Sequence, residues 1–304
     1  MKPEHLIVSP EVSRALATHR AVVALETTVV THGLPQPHGV QVARKMEAAV
    51  EASGAVPATI GILDGRIRVG LAREELERMA ATPAIPKVNL SNFAAALVAR
   101  GSGSTTVAAT MLAAHLAEID VLATGGIGGV HRGAQETDDV SADLTALARF
   151  PMAVVCAGAK AILDLPRTVE RLETLGVPLL GYRCDEFPAF WRRSSGLRLD
   201  QRFDDVGKLA EAIRAHHALG TGTGIVVANP VPEGSELANE VYERALGGAL
   251  EQAQSQGIRG RDVTPFLLDY VQRVGGSRVL DANVALLEHN ARVAGELAVA
   301  LLAG

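Results

Sequence analysis

A lysine follows a buried apolar strand near the middle of the sequence. The segment VVCAGAK, residues 154–160, begins with strand-forming residues, breaks at Gly158 and ends with Lys160, where the strand is expected to give way to a helix. A buried ammonium group is costly, and a desolvated lysine amine is suited to attack on a carbonyl carbon. The segment therefore predicts either an imine-forming nucleophile or an ordinary lysine whose amine reaches solvent.

A carboxylate lies near the end of a second predicted strand, AVVALETT at residues 21–28. Glu26 is the first of the polar residues that end this apolar segment. Burial disfavours the charged form of a carboxyl group and raises its pKa, which suits a general acid. The alternative is a structural carboxylate that pairs with a neighbouring cation or caps a helix.

Two segments contain groups that can bind an anion. TGGIGGVHRGA, residues 124–134, combines glycines with His131, and SGSTTVAATML, residues 102–112, places three hydroxyl groups, ending at Thr106, at a helix start. Converging backbone N–H groups bind phosphate at such positions, although a tight turn and a helix cap explain them equally well. Neither segment is a dinucleotide fingerprint or a Walker A loop, because the required glycines and the lysine do not fall in place.

Acidic residues crowd a predicted helix start in TDDVSADL, residues 137–144. Asp138, Asp139, Ser141 and Asp143 offer hard oxygen ligands of the kind that Mg²⁺ and Mn²⁺ prefer, with several waters retained on the ion. Acidic residues at a helix N-terminus also complement the helix dipole. The pattern therefore predicts a metal site or a charged first turn.

Strands alternate with helices along most of the chain, and the segment after residue 235 is helical. This alternation predicts an α/β fold, namely a three-layer α/β/α sandwich with a mainly parallel central sheet. We expect a single domain over residues 1–304, with 190–205 as a polar excursion and Ser91 as a helix cap. Because ligands bind beyond the carboxyl ends of strands in such sheets, polar residues that follow strands deserve the most weight. On the last helix, polar residues such as Asn290 are expected to lie mostly on its wet face.

The composition of the chain limits the classes of partner that it is expected to bind. The net charge of −5 provides no general attraction for a nucleic-acid polymer or an anionic membrane, so a small-molecule ligand is expected. The two cysteines lack metal-ligand spacing, and the N-terminal segment lacks the apolar core of a signal peptide. These features predict a cytoplasmic protein.

The order of several long motifs resembles the pseudouridine-5′-phosphate glycosidase family, also called indigoidine synthase A-like. The resemblance runs from ALETTVVTHGLP through STTVAAT, ATGGIGGVHRGA, DDVSADL and VVCAGAK to ANPVPE and LDANVALLEHNA. It implies reversible cleavage of a carbon–carbon glycosidic bond, giving uracil and ribose 5-phosphate through a lysine imine. It also implies Mn²⁺, or Mg²⁺ or another divalent ion, and a homotrimer.

The resemblance assigns roles by motif. Lys160 would be the nucleophile, Glu26 the proton donor for ring opening, and Asp139 the metal ligand, with Asp138 a departure from the apolar residue usual before it. The remaining candidates would contact the substrate: Lys87, the backbone at Val107, Ser141, Ala142, Asp143, His131, Thr106 and Asn283.

Two other functions remain open from sequence. An aldolase-type Schiff-base enzyme would need the same lysine but no metal and no pocket for uracil. A non-enzymatic sugar-phosphate-binding protein would bind such a ligand without turnover and would tolerate Lys160→Arg.

Overall fold

The centre of the molecule is a mixed sheet. The computed structural model describes residues 4–34, 37–258 and 263–303. The strands are β1 Leu6–Val8, β2 Val22–Leu25, β3 Val56–Leu63, β4 Arg66–Val69, β5 Lys87–Val88, β6 Gly103–Thr105, β7 Val121–Ala123, β8 Ala153–Cys156, β9 Leu179–Tyr182, β10 Gln201–Phe203 and β11 Ile225–Ala228. Their order is β1-β4-β3-β2-β7-β8-β11-β9-β10, and β6 joins β3 and β5 beside this path.

Helices connect and cover these strands. They are α1 Pro10–Ala17, α2 His38–Ala52, α3 Arg73–Ala81, α4 Phe93–Val98, α5 Val107–Leu116, α6 Ala134–Thr137, α7 Ala142–Leu147, α8 Leu165–Thr174, α9 Val206–Ala218, α10 Asn239–Ser255, α11 Val263–Gly275 and α12 Ser277–Leu302. Short polar side chains begin several of them. For example, Ser9, Asp164 and Asp205 each accept a hydrogen bond from a backbone N–H in the first turn of α1, α8 and α9.

The middle of the sheet is parallel and buried. Strands β2, β7, β8 and β11 pair in parallel, and every residue of these four strands is buried. Such continuous apolar runs occur in strands that helices cover on both faces. Antiparallel pairing occurs where β3 meets β4 and β6. The prediction of a three-layer sandwich with a mainly parallel sheet is confirmed.

Asp64 and Gly65 form the turn between β3 and β4. Asp64 and Gly65 both have positive φ, 52° and 69°, as a two-residue hairpin turn requires.

The longest helix, α12, packs across the middle of the sheet. It contacts β2, β7 and β8 as well as α2 and α9. The expectation of a wet face is wrong for Asn283 and Asn290, which are 8% and 0% exposed. Both amides lie on the face that meets the carboxyl ends of the strands, where buried polar groups need partners.

The larger hydrophobic cluster extends from Val12 to Ala298, and a smaller one includes Val30, Leu63 and Met79. The single domain over residues 1–304 stays a prediction. Within the described ranges, no helix combines the length and apolar character that a bilayer crossing would need.

Three local predictions need correction. Asn92, and not Ser91, is the residue that precedes α4, because the Ser91 hydroxyl donates to Asn89 Oδ1 at 2.8 Å. The strand that leads to Lys160 does not give way directly to a helix, since α8 begins only at Leu165. The excursion at 190–205 is only partly polar loop, because it contains β10 and a fully buried Trp191.

Gly158 forms the turn between β8 and Lys160. Its φ is +77°, and a Cβ atom at this position would lie 2.0 Å from the carbonyl oxygen of Pro188. The loop that contains Pro188 is itself bent, since Phe190 has a φ of 62° and donates its N–H to Ala157 O at 3.0 Å. A bulky residue in the left-handed region is uncommon and persists only where its surroundings hold it. The two loops therefore interlock.

We expect Gly158→Ala to lower the free energy of unfolding far more than Gly176→Ala. Gly176 also has a positive φ, +67°, but a Cβ there would meet nothing within 4 Å. The control should lose only the left-handed penalty of about 1–2 kcal/mol, whereas Gly158→Ala should lose at least about 2 kcal/mol more, because backbone must move. Urea denaturation measures both values, and equal losses would contradict the interlocked-loop interpretation.

Candidate active site

A cavity of about 310 Å³ lies beyond the carboxyl ends of β2, β7 and β8. This is where an open α/β sheet is expected to bind its ligand. Ten of the eleven predicted site residues line it: Glu26, Lys87, Thr106, His131, Asp139, Ser141, Ala142, Asp143, Lys160 and Asn283. Val107 is not among the lining residues, because its side chain is buried in the first turn of α5, and the contact expected of its backbone stays a prediction.

Glu26 is buried at the end of β2, with 5% of its surface exposed. Its two carboxyl oxygens accept hydrogen bonds from the hydroxyl groups of Thr28 and Thr124. Burial raises the pKa of Glu26 above its ordinary value, while the Lys160 charge and the two hydroxyl groups oppose that rise and Asp143 adds to it. With a raised pKa, the carboxyl group keeps its proton to higher pH than an exposed glutamate, as a proton donor requires.

Two lysines share the cavity with this carboxyl group. Lys160 lies in the loop after β8, and its backbone N–H donates to Ile127 O at 3.0 Å. Burial lowers the pKa of Lys87, the nearby Lys160 charge lowers it further, and Glu26 opposes both effects. One carboxyl group and two amines are therefore close enough to influence one another electrostatically.

Asp143 joins three segments of the site. Its carboxylate accepts hydrogen bonds from Gly128 N at 2.7 Å and from Ala108 N at 2.9 Å. It therefore connects α7 to the start of α5 and to the glycine-rich segment at residues 124–134, called the glycine loop below. The glycine is required there, because a Cβ on Gly128 would lie 2.2 Å from Ser141 Oγ. Asp143 was predicted to line the substrate site; it does line the cavity, and it also holds the walls together.

The hydroxyl groups ahead of α5 divide between packing and the cavity. Ser104 and Thr105 are buried. The Ser104 hydroxyl group accepts a hydrogen bond from the Thr31 hydroxyl group, and the Thr105 hydroxyl group donates to the Ile60 carbonyl oxygen. Thr106 caps α5 by accepting from Ala109 N at 3.3 Å, and it also lines the cavity. Of the three hydroxyl groups, Thr106 is thus the one placed to contact a ligand.

The acidic turn places one aspartate at the cavity. Asp139 lines it, with Oδ1 3.5 Å from His131 Nδ1, whereas Asp138 is exposed and has a left-handed backbone with φ of 53°. In the described part of the chain, no group of three or more His, Cys, Asp or Glu side chains is arranged to hold a metal ion. At this turn the Asp139 carboxylate lies beside the His131 imidazole, and a cation held there would take its remaining ligands from water or substrate.

Sequence reasoning missed the apolar wall of the cavity. That wall includes Leu34, Phe190, Trp191 and Leu287. The signal was present in FPAFW at residues 187–191, since only 3% of the chain is aromatic and this stretch contains its one tryptophan. His32 was also missed; it lines the cavity, and burial together with the Lys87 charge lowers its pKa.

We expect Thr124→Val to raise the pKa of Glu26 further, because the hydroxyl group that stabilises the carboxylate is lost while the side-chain shape is kept. Infrared or NMR titration of the Glu26 carboxyl group, assigned with Glu26→Gln, measures the shift. Thr110→Val is the matched control, because Thr110 is equally buried but donates to Thr105. If the pKa of Glu26 changed as much in the control as in Thr124→Val, the assignment of this effect to the Thr124 hydroxyl group would be contradicted.

Comparisons with known proteins agree with the geometry. The family model described as indigoidine synthase A like protein matches residues 11–300. A protein of Paracoccus denitrificans, called pseudouridine-5′-phosphate glycosidase, is 50% identical over 301 residues, covering 98% of this chain and 99% of the relative. A protein of the same name from Methylobacterium nodulans is 53% identical over 293 residues, covering 96% and 87%.

Solved structures show the same fold. The prealnumycin C-glycosynthase AlnA, in complex with ribulose 5-phosphate, matches with a TM-score of 0.92 and 40% identity over 99% of this chain and 98% of that one. An indigoidine synthase A (IdgA)-like protein from Thermotoga maritima matches with a TM-score of 0.88 and 36% identity over 99% of each chain. Because the family model and the relatives span nearly the whole sequence, this chain belongs to the indigoidine synthase A-like family.

Proposed function

We propose that this protein reversibly cleaves the carbon–carbon glycosidic bond of pseudouridine 5′-phosphate to uracil and ribose 5-phosphate, with Lys160 as the nucleophile. The observation that carries the proposal is that Lys160 and Glu26, a buried carboxyl group of raised pKa, line the same cavity. Two relatives support it, since they match over nearly the whole chain with 50% and 53% identity and have this activity in their names.

The bond to be broken explains why a lysine and an acid are needed together. Uracil C5 is a poor leaving group, so the ribose needs activation before the base can leave. In the proposed sequence, Glu26 gives a proton to O4′ as the C1′–O4′ bond breaks, and the Lys160 amine forms a bond to C1′ and then gives a proton from its nitrogen back to the Glu26 carboxylate. The nitrogen lone pair then makes an iminium as the C1′–C5 electron pair leaves with uracil, which takes a proton from solvent at C5.

Water completes the proposed reaction. It hydrolyses the iminium, releases the ribose 5-phosphate aldehyde and restores the lysine amine. Lys87, Thr106 and Ser141 are the proposed contacts for the sugar and its phosphate, because they supply a cation and two hydroxyl groups along the cavity wall.

Borohydride should trap ribose 5-phosphate on Lys160, because reduction of an imine leaves a stable amine. Peptide mass mapping locates the adduct. Lys160→Ala should give no adduct and should release no uracil from pseudouridine 5′-phosphate. Lys208→Ala is the matched control, since Lys208 is exposed and pairs with Glu211. Adduct formation without uracil release by the unmodified protein would favour an aldolase-type reaction, and an adduct on another lysine would exclude the proposed nucleophile.

We also propose a divalent cation, Mn²⁺ or Mg²⁺, at Asp139. One partly exposed carboxylate beside His131 fits an ion that keeps several waters and meets a substrate phosphate. When bound, the ion supplies positive charge next to that phosphate.

Asp139→Asn should lose Mn²⁺ binding, as followed by electron paramagnetic resonance of the free ion, whereas Asp138→Asn should keep it. The two residues are neighbours, but Asp139 lines the cavity and Asp138 is exposed. Treatment with EDTA should lower uracil release in the unmodified protein. If both variants bound Mn²⁺ equally well, the proposed ligand would be wrong.

A homotrimer and a cytoplasmic location complete the proposal. The two cysteines, Cys156 and Cys184, are buried free thiols, and burial raises their pKa to about 12 and about 11. Such thiols are unreactive and suit a reducing compartment.

A further inference from the structure

The residues that line the cavity include two chemically different groups. Lys87 and Asp139 supply an amine and a carboxyl group, while Phe190, Trp191 and Leu287 form an apolar wall, in which Phe190 and Leu287 both lie against Gly125. A phosphorylated sugar suits the polar groups, and a flat uncharged ring suits the aromatic wall. If the proposed function is correct, the base therefore lies against the apolar wall.

The Asn283 side chain lies beside that wall, in contact with Trp191. Asn283 is 8% exposed and lines the cavity from α12. Its Oδ1 accepts a hydrogen bond from the indole nitrogen of Trp191 at 2.8 Å. This is the one hydrogen bond of the Asn283 side chain found among the described residues, so the amide NH₂ group is left for a ligand.

The indole determines which way the amide faces. An indole N–H can only donate, so the Asn283 atom next to it must be the carbonyl oxygen. The NH₂ group must then occupy the other position, and it can only donate. A carboxamide free to rotate by 180° would offer either a donor or an acceptor, but this one is restricted to donation.

Trp191 is itself held in place. It is 1% exposed, its carbonyl oxygen accepts from Leu237 N at 3.0 Å, and its ring contacts that of Phe190 edge-on at 5.0 Å. Phe190 lies against Gly126, where a Cβ would approach the phenyl ring to 2.7 Å. Burial, the contact with Phe190 and the hydrogen bond to Asn283 therefore hold the indole in this position.

We infer that Trp191 is a positioning residue for base selectivity: by holding Asn283 Oδ1, it directs the amide N–H donors at a carbonyl oxygen of the base. A base with an amino group at that position would bring donor against donor, leaving both unpaired in a buried site. Loss of a buried hydrogen bond in this way discriminates strongly between substrates. This inference rests on the proposed function.

The test uses the synthetic direction, with ribose 5-phosphate and uracil as substrates. Cytosine and isocytosine, which have an amino group in place of the carbonyl oxygen at C4 or C2, serve as competitors. The unmodified protein should bind uracil at least tenfold more tightly than one of the two. Trp191→Phe should raise KM for uracil about tenfold and reduce that discrimination about tenfold, while KM for ribose 5-phosphate changes less than twofold.

A second variant separates orientation from packing. Asn283→Asp keeps an oxygen for the indole N–H but replaces the amide donors by an acceptor oxygen. It should shift preference toward the amino-bearing base, which a loss of packing would not do. In the double variant Trp191→Phe with Asn283→Ala, the effects on KM for uracil should be less than additive, because both changes remove one interaction.

An unchanged ratio of uracil to competitor binding in Trp191→Phe and in Asn283→Asp would overturn the inference, even if KM for uracil rose. Absence of discrimination in the unmodified protein would also overturn it. Failure of the proposed function is recognised separately, because an unmodified protein that neither forms nor cleaves pseudouridine 5′-phosphate would show no product at all.

Discussion

The burial of the Glu26 carboxyl group is the constraint around which the site is arranged. A carboxylate at the end of a fully buried strand is unfavourable unless it stays protonated or finds donors and a cation. Here the donors are two threonine hydroxyl groups, one on Thr28 in the loop after β2 and the other on Thr124, just after the neighbouring strand β7. The cation is Lys160, beyond the next strand, β8. Three adjacent parallel strands therefore each supply one part of a mutually dependent set.

The same edge of the sheet is held by polar groups that do not react. Asp143 accepts from backbone amides of the glycine loop and α5, and Asn290 donates to the carbonyl oxygen of Thr124 at 2.7 Å. Asn229 in turn donates to Asn290 Oδ1 at 2.8 Å. These bonds satisfy buried backbone groups that the strand ends would otherwise leave unpaired. They also fix the loops on which Glu26 and Lys160 depend for their geometry.

Much of this arrangement could be predicted from the sequence, because local chemistry and strand order agree. Apolar runs followed by polar residues identified the ends of β2, β7 and β8, and the parallel sheet then brought Glu26, Thr124 and Lys160 together. What could not be predicted depends on contacts between distant segments. The orientation of α12, which buries Asn283 and Asn290, is set by packing against strands far away in sequence. Phe190 and Trp191 turn inward at a left-handed backbone conformation of Phe190, and a phenylalanine in the sequence does not predict that conformation.

Because α12 supplies one wall of the cavity, the order of synthesis on the ribosome affects when the site can exist. The strands that carry Glu26 and Lys160 emerge long before residues 277–302. Until that helix packs against β7 and β8, Asn290 cannot hold the Thr124 carbonyl, and Leu287 cannot close the apolar side. A nascent chain therefore exposes its lysine without the surroundings proposed to make it reactive. Coupling chemical competence to α12 would keep the amine that is proposed to form an imine from capturing cellular aldehydes before the enzyme is complete.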